Sequence, residues 1–285
     1  MIIALFYYRQ GGLMKKFKLG SVQISAKADK DRNLKRADEL IKEAAEKGCQ
    51  VVALPEMWNC PYNNEYFKKF AEDKYSKTYN FLKETAKKYN ILLVGGSIPI
   101  LKDDKIHNEA FVFDKNGEEI YSYKKIYMFD VVFENGKEFR ESDNVEAGSQ
   151  IGVFDTEYGK FGLVICYDLR FYELFESMHK LGAECIFVPG SFTKETGKKH
   201  WELLLRARAV DFQSFIIGSS MARDDEISKN VFGNSRIICP GGEVLASIDE
   251  KEGLIISDID LSEIDKNRKL FPIEKSRLNK LKIFD

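Results

Sequence analysis

The sequence predicts an α/β protein with mixed sheets, and three observations lead to this prediction. Apolar strand patterns alternate along the chain with amphipathic helix patterns, as they do in layered α/β folds. Turn signals at 114–117 and 158–159 separate two pairs of strands, so hairpins are expected beside parallel pairs. Proline and glycine are scattered and mark no linker between domains. Two sheets between two helix layers would use these elements, and a three-layer fold has the same periodicity.

Each predicted element rests on its local pattern. In 29–47, Leu34, Ala37 and Ile41 recur at helical spacing, and Gly48 ends that helix. The other predicted helices are 74–89, 171–181, 200–212 and 261–268. Short apolar runs bounded by turn residues predict the strands, which are 17–24, 50–54, 91–95, 108–113, 119–124, 150–156, 160–166, 184–188, 215–219, 235–239, 244–248 and 253–258.

Size and charge limit the classes of function. A chain of 285 residues can bury a full core without disulfides or metal. Its 44 basic and 45 acidic residues leave a net charge of −1, so no bulk positive field attracts nucleic acid or anionic lipid. No segment reaches the length of a transmembrane helix. We therefore expect a small-molecule substrate and neither a nucleic acid nor a membrane as partner.

The cysteine and histidine content argues against metal and disulfide chemistry. The five cysteines form an odd set without a C-x-x-C pair, which disfavours a disulfide framework and a tetrahedral zinc site. A reducing cytoplasm is the expected location. The three histidines are far apart in sequence and show no metal-ligand spacing. We expect no metal and no cofactor.

The first residues are expected to add little to the fold. Residues 1–13 start with an apolar run that lacks a preceding basic region and is too short to span a bilayer. Met14, followed by two lysines, is a second plausible start. We therefore predict an N-terminal extension over 1–13 and one domain over 14–285.

Reactive side chains follow three of the predicted strands at their ends. Glu56 comes after 50–54, Lys125 comes after 119–124, and Cys166 ends the apolar run of 160–166. In open α/β sheets, ligands gather at the carboxyl ends of the strands. The three side chains are therefore expected to meet in one pocket.

The chemistry of these residues is complementary. Cys166 would supply a nucleophilic thiolate, favoured by the positive end of a following helix, and the N–H of Tyr167 would donate to an oxyanion. Glu56 would carry protons, and Lys125 would add a positive charge where the oxyanion grows. Singly, each residue has an ordinary explanation: a buried small hydrophobe, a loop carboxylate or a solvated lysine. Their joint occurrence favours amide hydrolysis.

Three motifs resemble those of the nitrilase, or carbon–nitrogen hydrolase, superfamily over about 18–270. They are L-P-E at 54–56, K-K-I-Y-M-F-D at 124–130 and C-Y-D-L-R-F at 166–171. The resemblance implies a Glu56, Lys125 and Cys166 triad, with a second glutamate at Glu141 in F-R-E-S. It also implies a single-domain, four-layer α-β-β-α sandwich that associates into homodimers or larger homo-oligomers.

Within the superfamily, the chain resembles the omega-amidase branch. T-G-K-K-H-W-E-L-L at 196–204 and R-A-R-A-V-D at 206–211 are similar to that branch's segments. The resemblance implies hydrolysis of the ω-amide of 2-oxoglutaramate or 2-oxosuccinamate through a cysteine thioester, with release of ammonia. Tyr127, Tyr172 and the lysines at 198–199 depart from the branch near the expected mouth of the pocket.

Two questions stay open at the level of sequence. The same triad would serve a deaminated-glutathione amidase, a nitrilase or an N-carbamoyl amidohydrolase, and a catalytically dead binding scaffold or a redox thiol sensor is a non-hydrolytic alternative. Arg170 and Tyr127 are candidate substrate-binding residues. Arg170 would grip a substrate carboxylate in a bidentate fork, or pair with Asp168 or Glu173 and brace the loop.

Overall fold

The computed structural model describes residues 15–133 and 136–276, where strands and helices alternate. The strands are β1 (Lys16–Gln23), β2 (Val51–Ala53), β3 (Glu72–Asp73), β4 (Leu92–Lys102), β5 (Lys105–Phe113), β6 (Glu119–Lys124), β7 (Asp130–Val132), β8 (Glu138–Arg140), β9 (Val153–Asp155), β10 (Lys160–Leu163), β11 (Cys185–Gly190), β12 (Phe215–Ser220), β13 (Arg236–Ile238), β14 (Val244–Ser247) and β15 (Gly253–Asp260). The helices are α1 (Lys30–Glu46), α2 (Asn64–Phe70), α3 (Lys77–Tyr89), α4 (Tyr172–Lys180), α5 (Lys194–Phe212), α6 (Ser262–Leu270) and α7 (Ile273–Ser276). Two short 3₁₀ helices cover Glu141–Asp143 and Cys166–Arg170. The predicted extension at 1–13 and the end of the predicted domain, 277–285, lie outside the described residues.

The strands form two large mixed sheets. The first has the order β15-β1-β2-β4-β5-β6, with β3 paired to β4, and the second has the order β14-β13-β12-β11-β10-β9. In each sheet, a parallel centre is flanked by antiparallel pairs. Most of the outer strands belong to hairpins, whereas β15 joins the first sheet by pairing with β1 from the other end of the chain. The mixed character predicted from the hairpin signals is therefore confirmed.

The two sheets pack face to face between helices. Phe17 and Val94 of the first sheet share one buried cluster with Phe161 and Phe187 of the second. The outer face of the first sheet is covered by α1 and α3, and α4 and α5 pack on the second. The predicted α-β-β-α sandwich is confirmed, and it places the carboxyl ends of β2, β6 and β10 in one region.

Several predicted boundaries are wrong because local turn and cap chemistry overrides hydrophobic pattern. The strands predicted at 91–95 and 108–113 are the long hairpin β4–β5, closed by Asp103 and Asp104 with φ of 52° and 60°. Positive φ at both central residues is the geometry of a two-residue hairpin turn. α5 begins at Lys194 rather than at 200, because the side chain of Thr193 caps it by accepting from Thr196 N–H.

Several short elements have no counterpart in the prediction, among them α2 and the ribbon β7–β8. α2 is only 7 residues long and begins at an Asn63 cap, so its apolar pattern is too short to register. The two-stranded ribbon β7–β8 is largely exposed and lacks the alternating apolar face of a half-buried strand. The ribbon matters for the site, because it leads directly into Glu141.

A glycine bulge in β4 fixes the loop that carries Glu56. The register of β4 on β5 shifts between Val94 and Ser97, and Gly96 has a φ of +62° there. Ser97 N–H donates to Pro55 O at 3.1 Å, so the loop lies directly on the bulge. A Cβ on Gly96 would be 2.1 Å from that carbonyl oxygen. The position therefore requires glycine for two reasons, its φ and its close contact.

Gly96→Ala is expected to lower the free energy of unfolding by about 2–5 kcal/mol, the sum of left-handed strain and overpacking. Gly48→Ala is the matched control, because Gly48 has a φ of +82° but a Cβ there would meet no atom within 4 Å. It should lose only about 1–2 kcal/mol from strain. Urea denaturation of both variants measures the difference. Equal losses would contradict a crowded contact at Gly96.

Candidate active site

The predicted residues converge at the carboxyl ends of parallel strands. Glu56 follows β2, Lys125 follows β6 and Cys166 follows β10, while Glu141 opens the 3₁₀ helix after β8. Their relative exposures are 0%, 0%, 5% and 0%, so all four side chains are enclosed. The structure therefore brings together every residue that the three motifs and the F-R-E-S segment singled out.

A buried ion cluster forms the centre of the site. Lys125 Nζ lies 2.9 Å from Glu56 Oε1 and 2.8 Å from Glu141 Oε2. The backbone N–H of Phe129 also donates to Glu141 Oε2, at 2.8 Å. The second oxygen of Glu56, Oε2, has no hydrogen-bond partner among the nitrogen and oxygen atoms of the described residues. Glu141 Oε2 thus accepts from both Lys125 and the Phe129 backbone, and Glu56 keeps one oxygen available for a proton.

Sequence reasoning missed two polar residues of this cluster. Asn108 Nδ2 donates to Glu56 Oε1 at 2.9 Å and to Glu141 Oε1 at 3.2 Å, so it holds the two carboxylates together. The Tyr62 hydroxyl lies 3.3 Å from Lys125 Nζ and 3.4 Å from Glu56 Oε1. The available signal for Asn108 was a polar residue within the predicted strand 108–113, and the structure places it beside Lys125, whose backbone N–H donates to Asn108 O at 2.9 Å.

Burial and mutual charge set the protonation states of the cluster. Burial raises the pKa of Glu56, Lys125 opposes this increase, and the charge of Glu141 adds to it. Burial alone would lower the pKa of Lys125, but Glu141 and Glu56 outweigh it and hold that pKa well above its usual value. The lysine therefore stays positive, while Glu56 is a stronger base than an exposed carboxylate.

Cys166 lies at a strained turn beside this cluster. Its φ of +51° is unusual for a residue with a side chain, and the 3₁₀ helix Cys166–Arg170 begins there. The backbone N–H of Ser191 acts to lower the pKa of the Cys166 thiol. Burial, followed by the charge of Glu56, raises the pKa of the Cys166 thiol well above its usual value. The expectation that the helix end favours a resting thiolate is therefore wrong, because burial and the neighbouring carboxylate outweigh the short helix.

A buried aspartate joins the nucleophile turn to the lysine loop. Asp168 accepts from Ile165 N–H at 3.0 Å, from Tyr127 N–H at 2.8 Å and from the Tyr123 hydroxyl at 2.9 Å. Burial raises the pKa of Asp168 to about 6, although these three donors oppose the shift. Since its oxygens serve these donors, Asp168 braces the segments that carry Cys166 and Lys125.

Arg170 pairs with neither of the carboxylates considered from sequence. Its guanidinium nitrogens lie 3.4 and 3.3 Å from His200 Nδ1, and its carbon Cζ lies over the rings of Tyr167 and Phe192 at 5.5 and 5.3 Å. Its Nε is buried without a hydrogen-bond partner in the described part of the chain. The bracing alternative, an ion pair with Asp168 or Glu173, is therefore wrong.

The two tyrosines named from sequence lie in different surroundings. Tyr167 directly follows Cys166, and its ring packs edge-on against Phe129. The Tyr127 ring stacks on Phe171, and its hydroxyl donates to Glu173 Oε1 at 3.2 Å. Tyr127 thus contacts the site through its backbone N–H, and its side chain lines neither of the two cavities described next.

Two adjoining cavities lie at this site. The inner cavity is narrow and is lined by Cys166, Tyr167, Arg170, Ser191, Phe192, Thr196 and Phe129. The outer cavity has a volume of about 260 Å³ and shares Phe129 and Ser191 with the inner one. The described residues that line the outer cavity are aromatic, aliphatic or neutral polar, and none of them is acidic or basic. A short ligand could therefore extend from Cys166 past Ser191.

Two further properties concern the described residues as a whole. Across 15–133 and 136–276, no group of three histidine, cysteine or acidic side chains is arranged to hold a metal ion. Over the same ranges, none of the helices has the length and apolar character needed to cross a membrane.

The sandwich fold, the buried glutamate–lysine cluster and the adjoining cysteine define a class. The chain belongs to the carbon–nitrogen hydrolase family, whose pattern matches residues 18–269. The predicted superfamily is confirmed, and the chain is a hydrolase of carbon–nitrogen bonds other than peptide bonds.

Particular relatives narrow the comparison. Omega-amidase NIT2 of Xenopus tropicalis is 41% identical, and the match covers 94% of this chain and 97% of that protein. The chloroplastic omega-amidase of Arabidopsis thaliana is 39% identical, over 93% of this chain and 73% of that protein. The crystal structure of Saccharomyces cerevisiae Nit3, a member of branch 10 of the nitrilase superfamily, superposes with a TM-score of 0.85 at 34% identity, covering 97% of this chain and 100% of that one.

Lys125→Met is expected to lower the free energy of unfolding at neutral pH by about 3–5 kcal/mol, because two buried carboxylates lose their cation. Lys124→Met, at the half-buried neighbouring position, should change it by no more than about 0.5 kcal/mol. Urea denaturation of both variants measures the contrast.

The loss in Lys125→Met should depend on pH. Glu56 already has a raised pKa, and removing the lysine raises it further, so the folded variant binds its proton at a higher pH than the unfolded chain does. The free energy of unfolding relative to the parent should therefore recover as the pH falls toward about 4.3, the pKa of an unfolded glutamate. If the free energy of unfolding of the variant fell further below that of the parent as the pH was lowered, the buried cluster would be contradicted.

Proposed function

We propose that this hydrolase cleaves the ω-amide of a short 2-oxo dicarboxylate monoamide, such as 2-oxosuccinamate or 2-oxoglutaramate. The products are ammonia and the dicarboxylate. The observation that carries the proposal is Arg170, a cation in the same narrow cavity as Cys166 that has no carboxylate partner in the described part of the chain. A guanidinium so placed fits a ligand that has an amide at one end and a carboxylate at the other. The omega-amidases among the relatives support the same substrate class.

Acylation begins with a proton transfer inside the cluster. Glu56 takes the thiol proton of Cys166, and the sulfur attacks the carbon of the amide. The oxyanion that forms is stabilised by Lys125 and by the backbone N–H of Tyr167. Glu56 then returns the proton to the leaving nitrogen, so that ammonia departs and a thioester remains on Cys166.

Deacylation repeats the proton transfers with water. Glu56 removes a proton from a water molecule that attacks the thioester carbon, and the sulfur leaves with that proton restored. Glu141 and Asn108 touch the other members of the cluster, so we assign them to positioning. Glu141 holds the ammonium of Lys125, and Asn108 holds the two carboxylates at hydrogen-bond distance.

The lining of the inner cavity supports a neutral oxo group at the second carbon of the substrate. An amino acid amide such as glutamine would bring an ammonium group beside Arg170, and none of the described residues that line this cavity is acidic. The adjoining outer cavity has a volume of about 260 Å³, just below the usual range of about 300–1,000 Å³ for ligand cavities, which fits a short chain. Nitrile and ureido substrates would use the same triad, and a nitrile without a carboxylate would leave Arg170 without a counter-charge.

Location and assembly are part of the proposal. Five free, buried cysteines support a reducing cytoplasm. A homodimer is supported by exposed apolar side chains on the outer elements of the second sheet, namely Leu203 and Val210 on α5 and Val244 and Leu245 on β14. A binding scaffold without activity is disfavoured because Glu56, Lys125 and Cys166 form an intact cluster.

Cys166→Ala is expected to abolish ammonia release from 2-oxosuccinamate, since no other nucleophile replaces the sulfur. Cys185→Ala is the matched control, because Cys185 is a fully buried cysteine on β11 outside the residues that line both cavities. It should keep the parent rate. An enzyme-coupled ammonia assay measures both. Turnover by Cys166→Ala above a trace would overturn the nucleophile, and activity on other amides alone would overturn only the substrate.

Arg170→Met is expected to raise KM for 2-oxosuccinamate about 10- to 100-fold, the effect of losing a hydrogen-bonded charge contact to a carboxylate. The melting temperature should stay near that of the parent, since no ion pair within 15–133 or 136–276 is broken. Arg206→Met, at an exposed position of α5, is the control and should leave KM unchanged. A lower melting temperature with an unchanged KM would instead show that Arg170 stabilises the fold and does not bind the substrate.

A further inference from the structure

A buried serine at the nucleophile has an unused hydroxyl. Ser191 directly follows β11 and is 7% exposed, and its Oγ has no hydrogen-bond partner among the described residues. A buried polar group left unpaired costs about 1–3 kcal/mol, and such groups are rare in folded proteins. The hydroxyl is therefore available to a partner from outside the chain.

Ser191 and Cys166 lie side by side at the inner cavity, which both of them line. The backbone N–H of Ser191 acts to lower the pKa of the Cys166 thiol. Ser191 also lines the outer cavity, so it lies where the two cavities adjoin. An acyl chain that extends from Cys166 toward the outer cavity would therefore run along Ser191.

The other polar groups of the inner cavity do not supply a free, neutral hydrogen-bond donor. The Thr196 hydroxyl is paired with the Thr193 hydroxyl at 2.9 Å. Arg170 supplies the positive charge, and its Nε is also buried without a partner in the described part of the chain. Ser191 therefore adds a neutral hydrogen-bond donor to a cavity that holds both the nucleophile and a guanidinium.

We propose that the Ser191 hydroxyl binds the 2-oxo oxygen of the substrate and so determines specificity for 2-oxo acid amides. The inference rests on the proposed function and deepens it. In 2-oxosuccinamate, the 2-oxo carbon stands between the amide end and the carboxylate. With the amide carbon at Cys166 and the carboxylate at Arg170, a donor from Ser191 meets the oxygen in the middle. A site with such a donor discriminates against an analogue that lacks the oxygen.

The test compares two substrates on the full-length enzyme. Succinamate has the amide and the carboxylate of 2-oxosuccinamate but lacks the 2-oxo oxygen. Ser191→Ala should lower kcat/KM for 2-oxosuccinamate about 5- to 100-fold, the range for one hydrogen bond to a buried acceptor. Its kcat/KM for succinamate should stay within about twofold, since that substrate offers no oxygen there. Ser191→Thr, which keeps a hydroxyl, should recover part of the loss.

A second readout separates this role from a structural one. Ser191→Ala removes an unpaired hydroxyl, so its melting temperature should equal or exceed that of the parent. Ser214→Ala is the matched control, because the Ser214 hydroxyl is fully buried but donates to Ala183 O or Phe212 O. That variant should melt earlier and keep the parent selectivity between the two substrates.

The outcomes are distinguishable. Equal losses on both substrates, or no loss on either, would overturn the contact with the 2-oxo oxygen while leaving the hydrolase and its substrate class intact. Failure of the proposed function would appear in the parent enzyme, as turnover of succinamate without turnover of 2-oxosuccinamate or 2-oxoglutaramate.

Discussion

The structure depends on the pairing of one buried lysine with two buried carboxylates. Taking the charge of Lys125 out of water costs several kcal/mol, and only close, correctly oriented opposite charges offset that cost. Glu56 and Glu141 lie at 2.9 and 2.8 Å from its nitrogen, and they come from segments far apart in sequence. The cluster therefore requires β2, β6 and the ribbon β7–β8 to end at one point, and the bulge of β4 and the bonds of Asp168 serve that requirement.

The same cluster sets the protonation of Cys166. Burial raises the pKa of Glu56, and burial together with the charge of Glu56 raises the pKa of the Cys166 thiol. The thiol and the carboxylate thus compete for one proton in a space that disfavours a second negative charge. A resting thiolate would place a third anion beside Glu56 and Glu141. In the proposed mechanism, the sulfur is therefore activated only when a bound amide provides a carbon to attack, and Lys125 is already in place for the oxyanion.

How much of this site the sequence predicts depends on whether each residue is marked by a local pattern or reaches the site through residues distant in sequence. Glu56, Lys125 and Cys166 each terminate an apolar strand, so a local pattern marks them and the topology of α/β sheets brings them together. Asn108 joins the site through neighbours distant in sequence, and its one local signal was a polar residue within a strand. Tyr62 lies six positions after Glu56 in a loop, and no motif marks it or Ser191. Glu141 was found only by resemblance, because the ribbon before it is short and exposed. The predicted boundaries of β4 and α5 are wrong, because the turn at Asp103 and Asp104 ends β4 and the cap at Thr193 begins α5.

The position of one cation supports the proposed preference for a short chain. Among the described residues, Arg170 is the basic side chain of the inner cavity, beside Ser191 and aromatic rings. An amide with no carboxylate would leave this guanidinium without a counter-charge, which is unfavourable. A substrate with a longer chain would extend its carboxylate into the outer cavity, where none of the described lining residues is basic. The proposed selectivity would thus come from the position of Arg170, and the cysteine chemistry itself needs no preference.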